Sequence, residues 1–215
     1  MKLWLATANL ERIETCLAYG VFTGVITNPH VVAQEAREPK SLFKEICNIS
    51  PSAYYQLRAG EVADMLHEAE VMLAIDPAKM RIKVPATRNG LAVIRRLSDQ
   101  GLKVMATAVP TSTWMVLAVA AGAAAVAPYS GMLQRRGILP KMEGVLAMQA
   151  IIDRQGYEVE LCTGIYDATE IAQYAARGVK SAFIWEKDVE AFLTQDLADE
   201  AAANFDDDWA QINAY

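Results

Sequence analysis

The chain has 215 residues, 53% hydrophobic and 21% charged, with a net charge of −6. That composition excludes a disordered chain. The acidic balance, with no basic cluster or basic–aromatic stripe, excludes a nucleic-acid backbone as the main partner. Cys16, Cys47 and Cys162 are odd in number and far apart, without metal-ligand spacing. Asn9 and Glu11 arrive before a signal-peptide core can form, so a reduced, cytoplasmic protein is expected.

In chain order, short apolar runs alternate with helical segments. Strands are predicted at 2–6, 24–27, 53–57, 81–85, 102–108, 123–127, 158–162 and 181–184. Helices are predicted at about 9–20, 30–47 with a break near Pro39, 60–73, 88–99, 111–121, 139–155, 167–176 and 187–194. Most of the strands are apolar on both faces, as in a parallel sheet covered by helical crossovers. Eight such units favour a closed (β/α)8 TIM barrel over 1–195. An open doubly wound sheet is disfavoured by the absence of a Gly-x-Gly-x-x-Gly or Gly-Lys-Ser/Thr phosphate loop. The acidic segment 196–215 contains an additional C-terminal helix over 196–213, with Phe205, Trp209 and Ile212 at helical spacing. It is expected to pack on its own barrel or on a neighbouring subunit.

Residues 104–134 contain no charge, a length that admits a membrane span. Pro110, Thr111-Ser112-Thr113, Gly122 and Pro128 divide this stretch, however, so a strand, a buried helix and a second strand explain it better and no membrane association is expected.

Within Arg81-Ile82-Lys83-Val84-Pro85, alternation sets Lys83 on the face opposite Ile82 and Val84. If that face is the barrel interior, desolvation favours the neutral, nucleophilic amine that Schiff-base chemistry requires. The alternative is an edge-strand lysine facing water. In a barrel the catalytic groups come from the strand C-terminal ends. Those ends are Ala6-Thr7, Thr27-Asn28-Pro29-His30, Gln56, Lys83, Thr107, Tyr129, Thr163-Gly164 and Trp185. They offer an amine, amides, hydroxyls and a phenol. No metal site is expected, since only His30 among the histidines lies near. Each polar residue also has a structural reading: Thr107 bonding a backbone carbonyl, Tyr129 as a packed ring, Gln56 and Asn28 tying loops, His30 capping a helix.

Together the segments Gly24-Val25-Ile26-Thr27-Asn28-Pro29, Ile82-Lys83-Val84-Pro85-Ala86-Thr87, Ala106-Thr107-Ala108-Val109, Val126-Ala127-Pro128-Tyr129 and Asn204-Phe205-Asp206-Asp207-Asp208-Trp209 resemble the small transaldolase family. Within it, they are closest in kind to the fructose-6-phosphate-aldolase-like subfamily. The resemblance spans nearly the whole chain and implies class I aldol chemistry on a small carbonyl or sugar substrate, without cofactor or metal. Lys83 then forms the iminium. Tyr129 moves the proton through a water held by Gln56 and Thr107, and Asn28, beside Thr27, contacts the donor hydroxyls. It also implies a homo-oligomer, a pentamer or a decamer of stacked pentamers.

The chain departs from that pattern at several points. Ala6 stands where the family has an aspartate, Met132 where it has a phosphate-binding arginine, and Gly164 where it has a phosphate-binding serine; His30 replaces a serine. Arg135, or Arg136, is the candidate substitute cation, and the amides at Gly164 remain available to an anion. The expected function is therefore a Schiff-base aldolase or transaldolase-like enzyme with reduced dependence on phosphate. The alternative is a catalytically weakened barrel acting as a ligand-binding or assembly protein.

Overall fold

Two apolar faces on each strand need two partners, and the chain supplies both by closing its sheet. The computed structural model describes residues 1–212. Its strands are β1 (Lys2–Ala6), β2 (Gly24–Ile26), β3 (Ala53–Gln56), β4 (Met80–Pro85), β5 (Met105–Val109), β6 (Ala125–Pro128), β7 (Glu160–Ile165) and β8 (Ser181–Trp185). Each pairs in parallel with the next, and β8 returns to β1 with Ala6 opposite Trp185. The helices are α1 (Leu10–Leu17), α2 (Pro29–Gln34), α3 (Pro39–Ile49), α4 (Val62–Leu73), α5 (Arg88–Asp99), α6 (Ser112–Ala120), α7 (Ser130–Arg135), α8 (Lys141–Gln155), α9 (Thr169–Ala175), α10 (Val189–Leu193) and α11 (Asp196–Ile212). The fold is thus the (β/α)8 barrel expected from the alternating pattern, with helices following the last strand.

The outward residues Leu5, Val25, Ile82, Val84, Ala106, Val126 and Ile184 join the helices' buried stripes in one continuous core. The inward residues Trp4, Ala6, Ile26, Tyr54, Met105, Ala125, Ala127 and Cys162 form a separate cluster inside the barrel. Trp4 and Tyr54 meet edge to face at 4.9 Å, and the Trp4 indole donates to Ser181 Oγ at 3.0 Å. That aromatic plug fills the lower barrel and leaves polar side chains to the upper end.

Several boundaries differ from the sequence expectation by a few residues. β5 begins at Met105 rather than 102 because α5 ends in a Schellman cap: Gly101 is left-handed (φ 79°), and Leu102 N–H donates to Leu97 O. β7 runs Glu160–Ile165 rather than 158–162, since its Thr-Gly-Ile end pairs with Ala182, Phe183 and Ile184. A central Gly resembles a breaker in sequence, but here the ladder on β8 overrides it. The short helix α7 has too few turns to give a periodic signal. The uncharged stretch 104–134 resolves into β5, α6, β6 and most of α7, and no helix among the described residues is long and apolar enough to cross a membrane. The C-terminal helix ends at Ile212, and the remainder of the expected span, residue 213, lies outside the described residues. None of the residues of α11 is buried.

Candidate functional site

Closure of the barrel decides the question posed by Lys83, because a closed sheet has no edge. The side chain is 6% exposed and its Nζ donates to the carbonyl of Thr27 at 2.8 Å. Burial lowers its pKa to about 8. The Cys162 thiol is itself pushed up to about 12 by burial, so it stays protonated and supplies no counter-charge. At pH 7.5 roughly a quarter of such lysines carry a free lone pair, against about one in a thousand at the ordinary lysine value. The amine is desolvated, held by one acceptor, and nucleophilic near neutrality.

Above Lys83 opens a cavity of about 790 Å³ at the strand C-terminal ends. Gln56, Thr107, Tyr129, Asn28, Gly164 and Arg135 all line it, as do Ala6, His30 and Met132. The register places Gln56 opposite Lys83 on β3 and Lys83 opposite Met105 on β5. Thr107 is buried, whereas Tyr129 is 45% exposed and begins α7, its N–H donating to Val109 O at 2.8 Å. Between Ala106 and Val109 the β5–β6 ladder shifts register, and Ala108 takes a left-handed φ of 56° while lining the cavity. Strain of this kind in a non-glycine residue concentrates at functional sites, and the bulge turns both Thr107 and Ala108 toward the opening.

Two expected contacts differ in detail. Thr27 does not line the cavity: its hydroxyl donates to Tyr54 O at 2.8 Å, and its carbonyl holds Lys83. A threonine at a strand end can satisfy its hydroxyl on the neighbouring strand, as Thr27 does here. Asn28 serves two purposes. It lines the cavity and also caps α2, with Oδ1 accepting from His30 N–H at 2.8 Å and Val31 N–H at 3.2 Å. His30 is therefore not the cap; it stands exposed at the rim, next to Gln34.

The far end of the cavity explains two of the departures. A Cβ built on Gly164 would lie 2.8 Å from the Phe183 ring, so a serine there would require the phenyl group to shift. Arg135 lies in the last turn of α7 and lines the cavity, whereas Arg136 does not. Sequence reading missed Lys141, which is 3% exposed at the start of α8 and lines the same cavity. Its ammonium pairs with Glu170 at 2.5 Å and lies 4.3 Å from the Tyr166 ring centre. Burial lowers its pKa and the pairing with Glu170 opposes that. The α7–α8 turn delivers it, and no local pattern announces such a position. Glu186 was missed as well, although it directly follows the end of β8; one more residue read past Trp185 finds it. Among the described residues, no three His, Cys, Asp or Glu side chains gather as metal ligands.

Comparison with known proteins agrees with this geometry. The family model described as transaldolase/fructose-6-phosphate aldolase matches residues 3–184. A probable transaldolase of Thermodesulfovibrio yellowstonii is 31% identical over 217 aligned positions, covering 99% of this chain and 99% of that protein. A probable transaldolase of Alkaliphilus metalliredigens is 33% identical over 214 positions, covering 97% of this chain and 98% of its own length. One from Geobacillus thermodenitrificans is 31% identical over 211 positions, with 97% and 98% covered.

Proposed function

The chain belongs to the transaldolase/fructose-6-phosphate aldolase family, and from that membership we propose that it is a class I aldolase or transaldolase-type enzyme working through an iminium on Lys83. The observation that carries the reading is the buried Lys83 amine, with one carbonyl partner and a pKa lowered by desolvation to about 8.

Lys83 attacks the carbonyl carbon of a ketose or ketone donor, and loss of water leaves a protonated imine. That iminium withdraws electrons from the neighbouring carbon. An aldol bond beyond it then breaks to an enamine and an aldehyde, or the enamine attacks an acceptor aldehyde. The iminium is the electron sink, so the step requires no cofactor. Tyr129 exchanges the proton of the aldol hydroxyl, through a water held by Gln56 and Thr107. The Asn28 amide N–H, free of its capping duty, faces the donor hydroxyls. Arg135, which lines the cavity, is a candidate cation for an anionic tail. Phe183 against Gly164, and Met132 on the same wall, support a donor that depends little on phosphate.

Borohydride reduction in the presence of dihydroxyacetone or hydroxyacetone should add one reduced-ketone mass to the protein. Peptide mapping should locate it on Lys83, and Lys83→Met should take up none. Folded protein that gives no adduct across a broad panel of ketone donors overturns the reading. It would leave a barrel that binds ligands without turnover.

A further inference from the structure

Of the described residues lining the cavity, one carries a carboxylate: Glu186. It directly follows Trp185 at the end of β8, in the tight turn Glu186–Asp188. The register sets Trp185 beside Ala6 on β1, so the residue after each strand also falls side by side. Thr7, buried, donates its hydroxyl to Glu186 Oε2. The Glu186 main-chain carbonyl accepts from the Arg12 guanidinium at 3.0 Å. Side chain and backbone are therefore both anchored, while Oε1 has no hydrogen-bond partner among the described residues. Ala6, opposite Trp185 on β1, lines the same cavity with no more than a methyl group.

The iminium route leaves a proton inventory that the other groups fill poorly. Arg135, Lys141 and Lys187 also line the cavity, as cations. His30 sits exposed at the rim. We propose that Glu186 is the acid–base group of the imine half of the reaction, with Tyr129 serving the aldol hydroxyl; the inference rests on the Schiff-base reading of Lys83.

In the first step the amine nitrogen bonds to the donor carbonyl carbon, and the C=O electron pair moves to oxygen, which takes up the proton shed by nitrogen. Glu186, as the acid, protonates that hydroxyl. The C–O bond breaks, water leaves, and the nitrogen lone pair completes the C=N bond. The resulting Glu186 carboxylate then takes a proton from the adjacent carbon. The C–H electrons form the C=C bond and the C=N pair returns to nitrogen, giving the enamine. Glu186 ends as it began, having given one proton and taken one, so no further co-reactant is consumed.

The test compares the native chain, Glu186→Gln and the double variant Ala6→Asp/Glu186→Gln, using hydroxyacetone as the probe. Borohydride trapping on Lys83 is read by mass, and exchange of the donor's α-hydrogens in deuterium oxide, without acceptor, is read by NMR. Glutamine retains the shape and can still accept from Thr7, so the thermal midpoint should stay at the native value. Trapping on Lys83 should persist while α-hydrogen exchange falls about 100-fold or more, the usual worth of general acid–base assistance. Adding Ala6→Asp to the Glu186→Gln variant returns a carboxylate to the same cavity and should recover at least about tenfold of the loss. Exchange in Glu186→Gln within about threefold of native overturns the proposal. So does a double variant no faster than Glu186→Gln, because the loss then reflects site shape rather than a missing base. Absence of trapping in the native chain overturns the Schiff-base reading instead, which separates the two failures.

Discussion

Lys83 carries its charge at a cost that its neighbours do not offset. Among the described residues Thr27 O is its one hydrogen-bond acceptor, and Cys162 stays neutral. Its pKa of about 8 lies below the ordinary value near 10.4, so the unfolded chain binds more protons between those limits. The penalty is therefore fully present below pH 8. It fades as pH rises from 8 to about 10.4, and is gone above that. Lys83→Met, similar in length and uncharged, should raise unfolding stability at pH 7 by about 2–3 kcal/mol, with the advantage shrinking toward zero near pH 10.5. Urea denaturation of both chains across that range checks it; a variant no more stable than native at pH 7 contradicts the desolvated lysine. Sequence alternation already turned Lys83 away from Ile82 and Val84. Whether that face met water or the barrel interior was not legible, because one strand does not reveal whether its sheet has an edge.

At the scale of elements, the site is assembled by termini: the start of α2, the entry to α7 and the bulge of β5. Asn28 shows how one residue couples local structure to chemistry, since its Oδ1 is committed to two α2 amides while the residue also lines the cavity. Asn28→Ala should cost about 1 kcal/mol of stability, the typical worth of an N-cap. Asn28→Asp keeps the capping oxygen but exchanges an N–H donor for an acceptor. It should stay within about 0.5 kcal/mol of native while raising the donor KM severalfold. Thermal unfolding and steady-state kinetics on the two variants separate the roles. If both lose stability equally, the cap is not what Asn28 supplies. The strands and most helices were legible from apolar spacing, and the Asn-Pro pair marked the start of α2. The β5 bulge and α7 were not legible, since a single left-handed alanine and a helix of under two turns leave no period to detect.

For the whole molecule, the open balance is α11. Its 17 residues bury nothing, and Phe205 and Trp209 remain 63% and 60% exposed. An isolated helix of that length is marginal in water, because helices gain most of their stability from packing an apolar face. We propose that a second copy of this chain covers that stripe. Light scattering should report a multi-copy assembly for the full chain and a lower mass for a chain ending at Gln195, with the barrel's thermal midpoint little changed. Equal masses for the two would show that α11 does not mediate assembly. The apolar stripe itself was plain in the sequence, but which surface it meets depends on where the barrel leaves its last strand.

Periodicity and motifs in fixed order are local properties of the chain. They were enough for the parallel alternation of strand and helix, the candidate residues at the strand ends, and the family. Other facts came with the closed barrel: Lys83 is desolvated, Thr27 holds it, Phe183 fills the space beside Gly164, and Lys141 and Glu186 enter the same cavity. Those facts join residues from strands and helices far apart in the chain. Burial and contact arise from closing the sheet, a geometric condition on all eight strands at once that no single segment contains.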